Sequence, residues 1–314
     1  MDLIGSSPAT KKLREDIGRL AKIRRNIVIV GEVGVGKGLT AELIHQESKD
    51  SKKPCVRLNV PVIDPGRFKK LVDLATSSGE FYNPIAPDHG NFKLVDGATL
   101  VFEDIDRAGM TAQSAVREFL MYCKKAKRDL RLIFLLQSPV QLAAKAGSLL
   151  RSLADELKRW ETISIVPLHK REEDIPELVE YFVAEIARDL GIGNMVIDSN
   201  AIGVLIRQEW KENVLELKRL VERSIVLSEE RETFKLPDGL VDEQAELSRI
   251  LSRIEEGAEF ALDNSMEIIE KGILLRTLEK FEFNQSRAAR FLKMTEDTLR
   301  YRMKRLGIPT ARKQ

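Results

Sequence analysis

Gly31, Glu32, Val33, Gly34, Val35, Gly36, Lys37 and Gly38 lie between an apolar run, Ile27–Val30, and a helix-like stretch, Leu39–His45. A strand, a glycine loop ending in Gly-Lys and a helix together build a triphosphate cradle. The glycines let backbone N–H groups converge on phosphate oxygens, the helix N-terminus adds partial positive charge, and the lysine reaches the β and γ oxygens. The same letters also suit a flexible turn with a solvated lysine, but the flanking strand and helix favour phosphate. Gly38 stands where a Ser or Thr usually follows the lysine and holds Mg²⁺, so metal capture needs help from elsewhere. The second reactive feature is the apolar run Ala98–Phe102, which ends in Glu103, Asp104 and, one residue on, Asp106. At the C-terminal edge of a parallel sheet, adjacent carboxylates would face the phosphate loop. One can hold a Mg²⁺-bound water and the other can polarise the attacking water. An exposed acidic turn after a core strand is the plainer alternative.

These residues need a sheet to hold them. Strand-like runs at Ile27–Val30, Val56–Asn59, Thr99–Glu103, Leu132–Leu136 and Thr162–Val166 alternate with helix-period segments, which predicts a doubly wound, mainly parallel α/β domain over 1–167. From Glu172 to Leu227 the pattern is helical (Ile175–Leu190, Ser199–Gln208, Leu215–Leu227), predicting a helical lid over 168–235. Residues 236–264 read as a charged linker with one amphipathic stretch, Ala245–Ile254. Helical segments at Glu267–Phe281, Gln285–Leu292 and Glu296–Leu306 then form an all-α module over 265–314. The chain has 314 residues, 43% hydrophobic and 32% charged, enough for two or three domains with ample core. Its apolar runs are far too short to span a membrane, and Met1-Asp2-Leu3-Ile4 has no signal pattern, which suits a cytoplasmic protein. Cys55 and Cys123 lack metal-ligand spacing and read as core fillers in a reducing compartment.

Net charge is only +2, but it is unevenly spread. From Asn284 onward nine Lys/Arg face only Glu296 and Asp297, a local +7, leaving −5 for the rest. Such a basic tail suggests nucleic acid, or merely a solvated surface. The pattern from Asn284 to Ile308 adds helix-turn-helix character. Asn284 and Thr295 can cap the two helices, and Ala288 and Ala289 let them approach closely. Leu299, Met303 and Leu306 form an apolar face. Candidate DNA contacts are Thr295, Asp297, Thr298, Arg300, Tyr301, Arg302, Lys304 and Arg305, the early ones on base edges and the later cations on phosphates. A three-helix interaction bundle is the competing reading.

The order of these motifs resembles the AAA+ domain of bacterial enhancer-binding proteins, the NtrC-like activators of sigma-54 RNA polymerase. Their Fis-type DNA-binding domain is likewise similar to the C-terminal module. The resemblance covers almost the whole chain. Leu3-Ile4-Gly5-Ser6-Ser7-Pro8 looks like the family's adenine-side segment, Gly31–Gly38 its Walker A loop, where the family itself often lacks the Ser/Thr, and Leu58-Asn59 its restraining asparagine. Gly90–Leu100 resembles the run into Walker B, Pro167–Pro176 the opening of the lid, and Trp210–Leu217 its closing motif. No receiver domain precedes them in this sequence. The resemblance implies ATP and Mg²⁺ as cofactors. Ile4, Gly5, Gly31, Glu32, Gly34, Val35, Gly36, Lys37, Gly38, Leu39 and Ile175 would surround the nucleotide. Glu103 would take the metal, and Glu103, Asp104, Asn59 and a trans-acting Arg151 would serve catalysis.

The departures predict a weakened motor. Walker B ends Glu103-Asp104 where the family has Asp-Glu, so a shorter carboxylate takes the base position, and misplacement by about 1 Å can cost on the order of 100-fold. Leu136 and Gln137 replace the sensor residues, a second arginine finger falls on Leu157 with Lys158 and Arg159 as near substitutes, and Leu215 replaces the lid arginine. Each lost arginine removes a donor for charge developing on the γ-phosphate. The family's Gly-Ala-Phe-Thr-Gly-Ala loop, which grips sigma-54, falls on Gly79–Pro84, where only Gly79 and Phe81 remain. Lys293 replaces a turn glycine of the Fis-type domain. The expected function is a DNA-binding transcription regulator with ATP as assembly or allosteric switch and hydrolysis weak or lost. A competent sigma-54 ATPase and a nucleotide-independent DNA scaffold are the alternatives. Expected partners are double-stranded DNA with a palindromic site, a second copy through the C-terminal module, a larger AAA+ oligomer and RNA polymerase, and no membrane.

Overall fold

The computed structural model describes residues 2–63, 66, 80–82, 91–93, 96–228, 232–236, 262–281 and 283–308. Gly79, Asn83 and Pro84 of the expected sigma-54 loop, and Ala245–Ile254, lie outside these residues. The chain divides into two compact units, Met1–Phe182 with Trp210–Val221, and Val183–Glu209 with Glu222–Gln314.

The first unit is built on strands β1 (Ile27–Val30), β2 (Cys55–Asn59), β5 (Thr99–Glu103), β6 (Arg131–Leu136) and β7 (Glu161–Ser164), in the order β2-β5-β6-β1-β7. Every neighbouring pair is parallel. A separate antiparallel pair joins β3 (Glu80–Tyr82) to β4 (Asn91–Lys93). The period-2 geometry of a strand explains why the inner strands β1, β5 and β6 are buried almost throughout, since both their faces are covered, while the edge strands β2 and β7 alternate. Val28 and Val30 enter one core with Leu58, Phe102, Phe119, Phe134 and Leu153, whereas Ile27 and Ile29 enter another with Leu13, Ile17, Leu20, Ile44 and Ile133. Helices α1 (Pro8–Lys22) and α2 (Lys37–Gln46) cover the second face. Helices α3 (Met110–Lys125), α4 (Val140–Lys145) and α5 (Arg151–Leu157) cover the first. Ser7 starts α1 by accepting the Thr10 amide at 3.2 Å, with Pro8 already in the first turn. Cys123 is buried and Cys55 partly so; burial pushes their thiols up to about 12 and about 11, as expected for space-filling cysteines.

Helices α6 (Ile175–Asp189), α7 (Ser199–Ile206) and α8 (Asn213–Leu227) follow the helical reading within one or two residues at most ends. Residues 168–182 and 210–221 group with the sheet in the first unit. A two-stranded parallel pair, β8 (Val196–Ile197) and β9 (Thr233–Phe234), lies in the second unit. So do α9 (Leu262–Lys280), α10 (Gln285–Phe291) and α11 (Glu296–Arg305). Because α9 begins at Leu262, the last residues of the expected linker are helical. Leu274, Leu278, Ala288, Ala289, Leu299, Met303 and Ile308 form the core of these three helices.

Candidate functional site

The phosphate loop leaves β1 and closes on α2. Gly34 and Gly36 have φ of +75° and +106°, a region that only glycine enters freely. The helix starts at once, the Gly36 carbonyl accepting both the amide (2.9 Å) and the hydroxyl (3.0 Å) of Thr40. Lys37 is only 8% exposed, and its Nζ donates to the carbonyls of Gly31 (2.7 Å) and Glu32 (2.9 Å). Burial pulls its ammonium below the ordinary lysine value, opposed by the charges of Asp104, Asp106 and Glu103. The lysine is therefore held inside a formed cradle, with the acidic strand end as its electrostatic partner.

The lid motif closes over the same loop. Asn213, at φ +53°, donates from Nδ2 to the Val33 carbonyl (2.9 Å) and to Glu32 Oε2 (3.1 Å), while its Oδ1 accepts the Leu168 amide (2.7 Å). The Leu215 amide donates to the Gly34 carbonyl at 3.3 Å, and a Cβ on Gly34 would collide with the Glu212 carbonyl oxygen. Leu215, at the family's arginine position, is thus set beside the loop with an apolar side chain and no donor.

On the adenine side, Gly5 has φ +128°, and a Cβ there would collide with the Asp174 carboxylate. Asp174 is fully buried. It accepts the Ser7 amide (2.8 Å), the Ser7 hydroxyl (2.9 Å) and the Thr10 hydroxyl (2.6 Å). Arg171, also buried, lies 3.6 Å from it and donates to the Val35 carbonyl at 3.2 Å. Ile4 and Leu39 are half-buried and Ile175 is buried. The segment around Ile4 and Gly5, the lid residue Ile175 and the phosphate loop are therefore tied together by Asp174 and Arg171.

At the strand end, Asn59 stands opposite Glu103 in register. Asp104 adopts φ +52°, a left-handed conformation that Asp tolerates better than most residues. Asp106 accepts the amides of Gln137 (3.0 Å) and Ser138 (3.1 Å). Burial raises its carboxyl above the usual range, and those two amides oppose the shift. Glu103 accepts from Arg57 Nε at 2.6 Å. A Cβ at Gly38 would overlap the Arg57 guanidinium, so a cation fills the space where a Ser or Thr hydroxyl would stand.

Mg²⁺ does not fit these residues as they stand. Gly38 offers no oxygen, Glu103 is engaged by Arg57, and Asp106 is engaged by two amides. Two like unit charges about 4 Å apart repel by about 1 kcal/mol in water and about 4 kcal/mol at an effective dielectric of 20, and a divalent ion doubles either figure. Glu103, the expected metal position, carries the Arg57 guanidinium in this structure. Nothing singled out Arg57 beforehand, since it is simply the outward residue between buried Val56 and Leu58. Arg151 stands exposed at the first residue of α5.

In the second unit the caps are as read from sequence: Asn284 accepts the Arg287 amide at 3.0 Å and Thr295 the Thr298 amide at 3.2 Å. Lys293, at the glycine position of the turn, has φ +54°. Tyr301 is 68% exposed, and Asp297 and Lys304 are exposed beside it. Arg300 is held by Glu296 (2.6 Å) and Gln285 (2.9 Å). Arg302 and Arg305 both bind Glu270 of α9, the former at 2.6 Å. This helix thus presents Tyr301 and Lys304 openly, whereas Thr298 is half-buried against the Thr295 hydroxyl and Arg302 and Arg305 are paired with Glu270.

Fold and site together define a P-loop AAA+ protein with a helical lid and a helix-turn-helix module. Residues 3–149 match the Sigma-54 interaction domain, 169–250 the AAA+ ATPase lid domain, and 265–306 the Bacterial regulatory protein, Fis family. The chain belongs to the NtrC-like enhancer-binding family. It is 29% identical to the response regulator protein PilR of Pseudomonas aeruginosa, covering 98% of this chain and 70% of that protein. It is 26% identical to the transcriptional regulatory protein XylR of Pseudomonas putida, covering 96% and 56%. Against crystalline NtrX from Brucella abortus in complex with ATP, the TM-score is 0.65 at 26% identity, covering 98% of this chain and 69% of that one. The chain therefore spans roughly half to two thirds of the length of such relatives.

Proposed function

We propose that this chain is a cytoplasmic DNA-binding transcription regulator whose AAA+ unit binds ATP as an assembly or allosteric switch and hydrolyses it slowly or not at all. One observation carries the reading: the phosphate loop is fully formed around Lys37, while the positions that should drive hydrolysis hold Glu103 bound to Arg57, Asp104 in a left-handed turn, and Leu215. Binding needs the first set of groups, and turnover needs the second. NtrX has been crystallised with ATP and with ADP, which supports nucleotide as the ligand. The Fis-type module supports double-stranded DNA as partner, and its palindromic site would follow from dimerisation through residues 267–308. Exposed Arg151 would reach the nucleotide of a neighbouring copy in a larger assembly.

The match of residues 3–149 to the Sigma-54 interaction domain favours a second reading, in which sigma-54 polymerase is contacted despite the altered Gly79–Pro84 segment. Titrating purified protein with ATP and measuring phosphate release tests both. The expectation is saturable binding with turnover well below about 1 s⁻¹, and turnover at or above that rate would refute the switch. Sedimentation with and without ATP should show nucleotide-promoted association that Arg151→Ala abolishes.

A further inference from the structure

P-loop sites normally gather two positive charges at the β and γ oxygens: the loop lysine and a divalent ion. The ion is held by the hydroxyl after the lysine and by the carboxylate at the next strand end. In this chain neither position is set up in that way. Gly38 has no side-chain oxygen, and the space where a Cβ would stand is filled by the Arg57 guanidinium. The carboxylate at the strand end, Glu103, is one methylene longer than aspartate and ends on Arg57 Nε at 2.6 Å. Glu103 is mostly buried while the Arg57 side chain is 48% exposed, so the acid anchors an arginine that still faces solvent. A guanidinium has five N–H donors in a fixed fork. With Nε spent on Glu103, the four terminal N–H groups remain for an anion above the N-terminus of α2.

We infer that Arg57 replaces the divalent cation of this nucleotide site. It supplies the second positive charge to the polyphosphate, with Glu103 holding it in place, and nucleoside triphosphate binds without Mg²⁺. The inference rests on the nucleotide-binding reading above and specifies its cofactor requirement. Glu103 is then a positioning residue for an arginine, which also accounts for an unfavourable Walker B order: the longer acid reaches the guanidinium.

The test is calorimetric titration of the full chain with ATP, once in excess Mg²⁺ and once in excess EDTA. Wild type should bind in EDTA within about threefold of its affinity in Mg²⁺. Arg57→Met should lose roughly tenfold or more in EDTA, the scale of one lost charged hydrogen-bonding group, and lose less in Mg²⁺, because Glu103 becomes available to the metal. Gly38→Thr, which crowds out the guanidinium and restores a hydroxyl, should turn metal-independent binding into metal-dependent binding; this variant leaves Arg57 itself intact if Arg57→Met folds poorly. Wild-type binding that weakens tenfold or more in EDTA would overturn the inference while leaving nucleotide binding standing. Equal metal-free affinity for wild type and Arg57→Met would do the same. Failure of wild type to bind ATP under either condition would overturn the nucleotide site itself.

Discussion

Replacing Asp174 with alanine tests whether the nucleotide pocket is held by one buried carboxylate. The side chain is fully buried, accepts three hydrogen bonds from Ser7 and Thr10, and lies 3.6 Å from a guanidinium that is itself only 4% exposed. Breaking a buried pair by removing one partner costs about 3–5 kcal/mol, because the other charge stays buried. The abandoned Ser7 amide adds about 1–3 kcal/mol. The two hydroxyls can turn to other acceptors, and water can enter the space left behind, so the net expectation is about 3–5 kcal/mol. For a unit of this size each kcal/mol lowers Tm by about 2–4 °C, giving a fall of roughly 6–20 °C. ATP affinity should weaken in parallel, since Arg171 also grips the Val35 carbonyl of the phosphate loop at 3.2 Å. Differential scanning calorimetry with and without ATP reads both effects. Adding Arg171→Met should recover much of the loss, because no orphaned charge then remains. A Tm within about 2 °C of wild type for Asp174→Ala, or strict additivity with Arg171→Met, would refute the account.

Three further outcomes are expected. Lys37→Met should abolish ATP binding yet raise the Tm of the nucleotide-free protein at pH 7. A lysine whose folded pKa is depressed contributes stability only above its unfolded value near 10.5 and loses it as pH falls through the folded value, so the advantage of Lys37→Met should shrink in thermal scans at higher pH. Lys293→Gly should stabilise the C-terminal helices by about 0.5–1 kcal/mol, the left-handed penalty less glycine's chain entropy, and denaturation followed by circular dichroism would show it. Glu270→Gln should release Arg302 and Arg305, tightening random-sequence DNA binding at low salt. It should steepen the salt dependence by up to about two phosphate contacts, as measured by fluorescence anisotropy across a salt series.

What could be read in the sequence was what neighbouring residues decide. β1, the glycine loop and α2 were legible because strand, turn and helix requirements fall within twenty residues. The caps at Asn284 and Thr295 were legible for the same reason, and the turn at Lys293 could be named as a departure from its glycine. Residues joined only by the fold were not. Ser7 and Asp174 are 167 positions apart, and Glu270 precedes Arg302 by 32; no local pattern announces either pair. Arg57 looked like any outward strand residue, because its meaning depends on a missing side chain nineteen positions earlier.

The grip of Asp106 on the amides of Gln137 and Ser138 has a mechanical consequence. Backbone pairing between β5 and β6 ends at Phe102 and Phe134, although β6 stays paired with β1 as far as Leu136. One carboxylate bolts β5 and β6 together past the last rung, so the tip carrying Asp104 and the tip carrying Gln137 are displaced only as one piece. Here the joint is a bracket. The ends of β5 and β6 thus bear load as one element, and α4, which begins just past Pro139, starts from that shared footing.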